Sequence, residues 1–469
     1  MIPTLKKLWP VVLTAVLVTL LAGCNDTLRQ FIIPVPKPTG DAQATANAVV
    51  LSTNPSGGNG SAVHIDVSGD TLAGIVDTGR DPVFLGKGPG RVYVINRNAA
   101  ANDTSTGNDT LTSYGSTSPL SATPNTITMP SNSLNPIAGG VGSSGDFFVA
   151  NPTSSSLSQI AQFAQAVTNT IAIPLGPPPT NPQGTPVAIA GNAAQAKIYV
   201  VNSVSGGPGY VTVISTTDNT VVKPSIPVGL NPIWAVMSND GVFVFVVNQG
   251  DGTVMVIDTT LDIVLPCNGV APRCQNGAIN VGKDPTVSTS SPNFAFYESK
   301  LQRLYVTNTG DQSVGVIKAD GINAGTGVFP SFLASVQVSG TPVSVTALSD
   351  GSKAYAAVGN CPAGTNHINL VTPDTVSGNI ANCGPGSVSV INAESLTQTT
   401  TIPVGSGVVS VDSASDASRV YAVSAHTGIV SIIKPSTDMV LTTFPVPQQN
   451  PACTSSCALQ VPFAVRVFP

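Results

Sequence analysis

Short runs with apolar residues on one face and small or polar residues on the other recur along most of this chain. Gly386–Glu394 (GSVSVINAE) and Gly252–Thr260 (GTVMVIDTT) are two of them. This alternation is typical of β-strands with one buried face, and Gly-containing turns separate the runs. With 45 Gly, 39 Pro and 42% apolar residues, the chain is rich in turns yet able to bury a core. The pattern predicts an all-β protein.

A longer unit repeats at roughly 50-residue spacing, which is typical of propeller blades and other arrays. Its core is aromatic-Val-x-Asn, found at Tyr93–Asn96, Phe148–Asn151, Tyr199–Asn202, Phe245–Asn248 and Tyr305–Asn308. Looser copies begin at Tyr355 and Tyr421, and another is Val49–Asn54. The Asn is expected to bond the backbone of the following turn and to tolerate left-handed dihedrals.

Each copy continues with a turn, an alternating strand, a second turn, a strand ending in Val-Gly, and a proline. These proline steps are Asp81-Pro82, Asn135-Pro136, Thr185-Pro186, Asn231-Pro232, Asp284-Pro285 and Thr341-Pro342. Proline lacks an N–H donor, so it is expected at the first residue of a strand. Each repeat therefore predicts four antiparallel strands. Such a sheet has two apolar faces, which packing against other copies around an axis would bury.

The tetrad Tyr305-Val306-Thr307-Asn308 resembles the signature of the YVTN β-propeller repeat family, and Val256–Pro285 follows the rest of that repeat. The resemblance covers approximately residues 47–451 and implies a single β-propeller of four-stranded blades. It implies little about activity, because such propellers serve several purposes.

The two ends of the chain predict how the ring closes. Val49–Asn54, Ser61–Gly69 and Thr71–Gly79 have the pattern of a blade without its first strand, and Gln460–Phe468 has the pattern of a first strand alone. Joining them favours eight blades; seven is the alternative if the N-terminal strands form an extra layer. Helical spacing in Leu157–Val167 departs from the pattern, but the repeat register favours strands there.

The N-terminal residues are expected to direct export. Residues 1–23 have the pattern of a signal peptide, Cys24 ends an LAGC stretch that resembles a bacterial lipobox, and residues 24–46 form a Pro-rich tether before a propeller at 47–469. The resemblance implies lipidation of Cys24 and a membrane-anchored protein of the cell envelope; Asn25 favours the outer membrane. An ordinary secretory signal is the alternative.

The other six cysteines fall as neighbours, which favours local disulfides in an oxidising compartment. The expected pairs are Cys267 with Cys274, Cys361 with Cys383, and Cys453 with Cys457. Only the last two have a spacing that a metal would use, and no second pair accompanies them, so no metal site is expected. Charged residues make up 9% of the chain and the net charge is −5, which disfavours nucleic acid as a partner.

Candidate site residues lie in turns between second and third strands, a face that also carries the long insertions Arg97–Asp109 and Cys361–Cys383. Long insertions on one face of a repeat protein often mark its binding face, although neutral loop drift explains them equally well. The candidates are Asn248, Asp251, Asn308, Asp311, His367 and His426. The loops at Asn248 and Asn308 resemble calcium loops but lack EF-hand spacing, which favours turns. His64 is interpreted as a structural strand residue.

Basic residues stand two positions before the repeat's aromatic in five copies. They are Arg91, Lys197, Arg303, Lys353 and Arg419. They are expected on the face opposite the insertions, either as solvated strand starts or as a partial ring that contacts anionic headgroups or polymers.

No catalytic constellation is recognisable, and no cofactor is expected. The sequence favours a monomeric, lipid-anchored binding module whose partner is a protein or a polysaccharide. One alternative is a propeller enzyme of the lactonase or dehydrogenase type, for which the proline steps offer only Arg80, Asp81, Lys283 and Asp284. Another is a periplasmic scaffold for envelope assembly.

Overall fold

A computed structural model describes residues 46–54, 58–97, 109–116, 123–131, 133, 135–191, 196–361, 383–446 and 460–468. All of them belong to Gln43–Pro469, the second of two units into which the chain divides. Their one helical element is a 3-10 turn at Ala324–Thr326. Within these residues no helix has the length and apolar character needed to cross a membrane.

The strands form eight antiparallel sheets, here called blades 1 to 8. The three N-terminal strands, β1 (Asn47–Thr53), β2 (Asn59–Asp66) and β3 (Thr71–Arg80), belong to blade 8. Blade 1 has β4 (Pro82–Gly88), β5 (Arg91–Asn96), β6 (Thr110–Gly115) and β7 (Asn125–Thr128). Blade 2 has β8 (Ala138–Val141), β9 (Phe147–Asn151), β10 (Ser156–Ala161) and β11 (Ala166–Ala172). Blade 3 has β12 (Thr185–Ala190), β13 (Lys197–Val204), β14 (Gly207–Ser215) and β15 (Val221–Leu230).

Blade 4 has β16 (Pro232–Met237), β17 (Phe243–Asn248) and β18 (Thr253–Asp258), and two short strands, β19 (Ile263–Val264) and β21 (Ala278–Asn280), pair with β18 in place of one fourth strand. A further short strand, β20 (Cys274–Gln275), pairs with the outer side of β21. Blade 5 has β22 (Pro292–Glu298), β23 (Arg303–Asn308), β24 (Ser313–Lys318) and β25 (Ser331–Gln337). Blade 6 has β26 (Pro342–Ala347), β27 (Lys353–Val358), β28 (Gly386–Asn392) and β29 (Thr397–Val404). Blade 7 has β30 (Val408–Ser413), β31 (Val420–Ser424), β32 (Ile429–Lys434) and β33 (Met439–Pro445), and the last strand is β34 (Val461–Phe468).

The ring closes through a composite blade. In blade 8 the C-terminal β34 pairs with β1, where Val50 lies opposite Val465, and β1 pairs with β2, where Val50 lies opposite Val63. The first strands of successive blades contact one another in a closed cycle, so they line the axis. The architecture is an eight-bladed β-propeller, which confirms the predicted fold, blade number and closure. The helically spaced stretch is β10, a turn and β11, as the repeat register predicted.

The recurring Asn stabilises the blade interior through its side-chain amide, and its backbone does not use the left-handed dihedrals that Asn tolerates. Asn202 is fully buried, and its Nδ2 donates to Thr212 Oγ1 on the third strand at 3.0 Å. Asn151 makes the same bond to Ser158 Oγ at 3.0 Å. These Asn residues keep extended dihedrals because they pair in the ladder. Left-handed residues occur elsewhere, in the hairpins and just before several prolines, as at Asp81, where φ is 48°, and Asn231, where φ is 45°.

One proline step was assigned to the wrong residues. In blade 5 the first strand starts at Pro292 after the left-handed Ser291, where φ is 47°, and Pro292 pairs with Asn308. Pro82 and Pro232 open their strands in the same way. The Asp284-Pro285 step lies within the link before β22, where the Asp284 carboxylate accepts the Thr286 N–H at 2.8 Å. This link covers residues 281–291, so its first proline does not start the next strand.

Candidate ligand-binding site

A cavity of about 520 Å³ lies off-centre on the propeller axis. The first strands of blades 1 to 4 and of blade 8 line it. In blades 7 and 8, backbone N–H groups of the first strand donate to side chains of the preceding blade. Val411 N–H donates to Ser344 Oγ, Val465 N–H to Ser410 Oγ and Val467 N–H to Asp412 Oδ2.

Small residues create the space. The lining includes Gly86, Gly139, Gly140, Ala188, Ala190, Gly191 and Ala235. Phe147 explains two of the glycines, because its ring packs behind the inner strands: a Cβ on Gly139 would lie 2.2 Å from Phe147 Cζ and a Cβ on Gly86 2.5 Å from it. Bare backbone therefore forms part of the cavity wall.

Aromatic side chains form another part of the wall. Phe84 and Trp234 are half-buried and line the cavity. The Trp234 ring lies against Phe294, with centroids 4.9 Å apart, and its Nε1 donates to the Ala295 carbonyl at 3.2 Å. This bond fixes the indole, because a buried N–H usually requires a partner. The aromatic wall is thus held in place before any ligand binds.

Two cations reach the cavity, Arg466 on β34 and Lys87 on β4. The guanidinium of Arg466 lies 5.8 Å from the centroid of the Phe294 ring, and in the part of the chain that the structure describes it forms no hydrogen bond or ion pair. Lys87 Nζ donates to the Val467 carbonyl at 3.0 Å. Within the described residues, then, the guanidinium donors of Arg466 are unused.

Lys87 lies in a partly open part of the cavity where protein still surrounds much of it. Burial lowers the pKa of Lys87; the charge of Asp412 opposes that shift and the charge of Arg466 adds to it. Lys87 nonetheless exposes much of its surface. Both observations agree if the ammonium faces a solvent-filled cavity surrounded by protein. Among the described lining residues there is no carboxylate or imidazole, so the cavity wall is positively charged.

The cavity lies toward the hairpin side of the ring. Its lining includes Gly88, Pro89 and Gly90, where the chain turns from β4 to β5, and Ser116, which follows β6. In an antiparallel blade this side is opposite the links between second and third strands. The site therefore lies away from the face where sequence analysis placed its candidate residues.

Two of those candidates are buried. Asn248 and Asn308 are fully buried, and their Nδ2 groups donate to Thr253 Oγ1 at 3.2 Å and Ser313 Oγ at 3.1 Å. Each belongs to the buried Asn positions of the repeat.

Asp251 and Asp311 are half-buried and hold the links between blades. Asp251 accepts the Leu230 N–H at 3.0 Å, and Asp311 accepts the Lys283 N–H at 2.6 Å. His426 is exposed in the turn after β31. His367 lies outside the described residues, so the structure does not bring these candidates together into a site.

The cysteines agree with the predicted pairing where they are described. Cys267 and Cys274 form a disulfide, as do Cys361 and Cys383. Cys24, Cys453 and Cys457 lie outside the described residues. Within the described ranges no three His, Cys, Asp or Glu side chains cluster as metal ligands.

The strand-start cations join neighbouring blades. Four of them bond the left-handed residue in the third-to-fourth hairpin of the next blade: Arg91 to Gln165, Lys197 to Asp262, Lys353 to Asp438 and Arg419 to Asp70. Arg303 donates to the Ala393 carbonyl of the next blade. These cations are neither solvated strand starts nor a free basic ring, because each of them has an acceptor in the next blade.

The repeat pattern does not identify Arg466, Lys87 or Trp234 as residues of a site. A signal was present, since Arg466 interrupts the apolar run VPFAVRVF and Trp234 is one of only two tryptophans. Nothing in the repeat register, however, distinguishes a strand residue that faces the axis from one that faces the next blade.

No protein-family model matches the sequence, and no curated protein sequence matches it either. The YVTN resemblance therefore stays a prediction.

Solved structures do match the fold, and they are β-propeller proteins. The dihydro-heme d1 dehydrogenase NirN, in complex with DHE, matches with TM-score 0.58 and 11% identity over 87% of this chain and 75% of that one. AztD from Citrobacter koseri, in its apo form, matches with TM-score 0.57 and 9% identity over 91% and 98%. The periplasmic gluconolactonase PpgL of Pseudomonas aeruginosa matches with TM-score 0.51 and 15% identity over 78% and 97%. At these identities the likeness shows the fold alone.

Proposed function

We propose that this protein is a ligand-binding β-propeller whose axial cavity takes a small anionic molecule. The observation that carries the proposal is Arg466, a half-buried guanidinium in a partly open, largely apolar cavity with no protein acceptor among the described residues. A cation in such surroundings loses hydration, and an anionic partner restores favourable interactions. Lys87 adds a second positive charge on the same wall.

The size and lining of the cavity suit a small molecule. Ligand pockets are mostly apolar, hold a few placed polar groups and measure about 300–1,000 Å³, and the cavity of about 520 Å³ falls in that range. A hydrogen bond to a charged group contributes about 1.5–3 kcal/mol. Two cations with an apolar wall therefore supply both affinity and orientation.

An enzyme of the lactonase or dehydrogenase type is the second candidate, because similar folds include a gluconolactonase and a dehydrogenase by name. General acid–base chemistry needs a titrating group within hydrogen-bond reach of the reacting atoms. Among the described lining residues Lys87 is the group closest to that requirement. Ligand binding would use the apolar wall, Arg466 and Lys87, whereas acid–base catalysis would use Lys87 alone.

Attachment to the cell envelope through lipidated Cys24 is part of the proposal and rests on the LAGC stretch. Expression of the full chain in a bacterium fed an alkyne-tagged fatty acid tests it. Label on the wild-type protein and none on Cys24→Ser supports the anchor, whereas equal labelling or none on either contradicts it.

The binding proposal is tested with 8-anilinonaphthalene-1-sulfonate, an aromatic anion that fluoresces in apolar surroundings. Saturable binding at one site by the wild-type protein, weakened at least tenfold in Arg466→Gln, is the expected result. Lys434→Gln removes one exposed positive charge away from the cavity and is expected to bind like the wild type. Circular dichroism checks the fold of each variant. Equal binding by wild type and Arg466→Gln would contradict the proposal.

A further inference from the structure

The geometry points to an aromatic monocarboxylate as the ligand of the axial cavity, with Arg466 holding the carboxylate and Trp234 contacting the ring. This inference rests on the proposed function and narrows it to one chemical class. Three features of the cavity carry it: the way Arg466 is held, the shape of the wall, and the balance of charge.

The first feature is the free edge of Arg466. The guanidinium carbon of Arg466 lies 5.8 Å from the centroid of the Phe294 ring. Its N–H donors have no acceptor among the described residues. A planar fork of donors matches a carboxylate with two parallel hydrogen bonds, which a point-charge ammonium cannot do. Arg466 is therefore suited to a planar anionic group.

The second feature is the flat, preformed wall. Trp234 is pinned by its bond to the Ala295 carbonyl at 3.2 Å and is half-buried, so one part of the indole faces the cavity. In the same cavity wall, Gly139 and Gly140 present backbone only, and neither position has room for a Cβ. A flat ring contacts such surfaces over a larger area than a puckered one. Aromatic pairs also gain stability beyond that of their buried area.

The third feature is the charge. Arg466 and Lys87 contribute two positive charges, and Asp412, whose Oδ2 accepts the Val467 N–H at 2.9 Å beside them, contributes one negative charge. The local sum is one positive charge. A single carboxylate neutralises it, whereas a dianion would leave one negative charge uncompensated in the cavity.

Calorimetric titration with three matched probes tests the inference. The probes are 2-naphthoate, decahydro-2-naphthoate, which has the same charge without aromaticity, and 2-naphthalenemethanol, which has the same ring without charge. The wild-type protein is expected to bind 2-naphthoate at least tenfold more tightly than either other probe. Arg466→Gln should lose at least tenfold for 2-naphthoate and little for the alcohol, with Lys434→Gln as the matched control.

Trp234→Leu should remove the preference for the aromatic acid over the saturated one. If that variant misfolds, Trp234→Phe keeps a ring, and it should retain part of the preference. Equal affinity for the aromatic and saturated acids would overturn the inference, as would equal affinity for the acid and the alcohol. The outcomes separate the two proposals. If anilinonaphthalene sulfonate binds through Arg466 but the aromatic acid is not preferred over the saturated acid, only the inference is overturned. If no probe binds, both proposals are overturned.

Discussion

The seam where the ring closes contains a buried histidine whose protonation should destabilise the fold. His64 on β2 of blade 8 is fully buried, and its Nε2 lies 2.9 Å from the hydroxyl of Tyr114 on β6 of blade 1. The two rings meet edge to face at 5.4 Å between centroids. Protonation would place a charge between the composite blade and its neighbour. We predict that acid weakens this joint.

The magnitude follows from the pKa of His64, which burial lowers from 6.5 to about 4. Above pH 6.5 the histidine is neutral in both states, so its contribution is complete. Below 6.5 the unfolded chain binds a proton that the folded chain does not, and stability falls until the pH reaches about 4. At about 1.4 kcal/mol per pH unit, the loss is about 3 kcal/mol.

Asp109 opposes this change. Burial raises its pKa to about 6, against the hydrogen bond from the Asn135 N–H and the charge of Arg97. The folded chain therefore holds a proton at Asp109 that the unfolded chain has lost. Stability from this group grows as the pH falls from 6 toward 4 and offsets much of the His64 effect. Because the two effects have opposite signs, the pH dependence of the wild-type free energy of unfolding does not reveal either one.

Comparison with His64→Gln isolates the histidine. Urea unfolding of both proteins, followed by tryptophan fluorescence at pH 7, 6, 5 and 4, gives the free energy of unfolding at each pH. The wild-type value minus the variant value should fall by about 3 kcal/mol between pH 7 and pH 4. A difference that stays constant across this range would refute the reasoning.

Two further predictions use matched pairs and the same unfolding measurement. Gly139→Ala forces a Cβ to 2.2 Å from Phe147 and should cost about 1–3 kcal/mol, whereas Gly115→Ala, whose Cβ would meet nothing closer than 4.0 Å, should stay within about 0.5 kcal/mol; equal effects would contradict the packing account. Asp438→Ala removes the acceptor of a lysine and a tyrosine of the preceding blade and should cost about 1–3 kcal/mol. Asp320→Ala breaks an ion pair that is about half exposed and should cost under about 1 kcal/mol; a larger loss there than at Asp438 would contradict the inter-blade role.

The fold was predictable because every copy of the repeat has the same pattern of strands and turns. Alternation in Gly386–Glu394 defines a third strand, and the matching leftovers at Val49–Asn54 and Gln460–Phe468 specify how the ring closes. The register was strong enough to overrule the helical spacing of Leu157–Val167. Repetition makes such an assignment robust, since one misleading segment is outweighed by many consistent ones.

The candidate site was not predictable in the same way, because it depends on which strand residues face the axis. Arg466 and Trp234 lie in first strands far apart in sequence, and only closure of the ring brings both to one cavity. Turn composition indicated Asn248 and Asn308 as site residues, but their side-chain amides form hydrogen bonds inside the blades. The role of the strand-start cations was mispredicted for a related reason. The acceptor of Lys353 is Asp438 in the next blade, and the sequence around Lys353 does not indicate that contact.

The central claim is that the axial cavity binds an anion through Arg466, and a crystal structure of the protein grown with 2-naphthoate tests it most directly. The account predicts one ligand between Trp234 and Arg466, with both carboxylate oxygens within hydrogen-bond distance of the guanidinium. A cavity that contains only water, with the ligand absent or bound elsewhere on the protein at a saturating concentration, would contradict it.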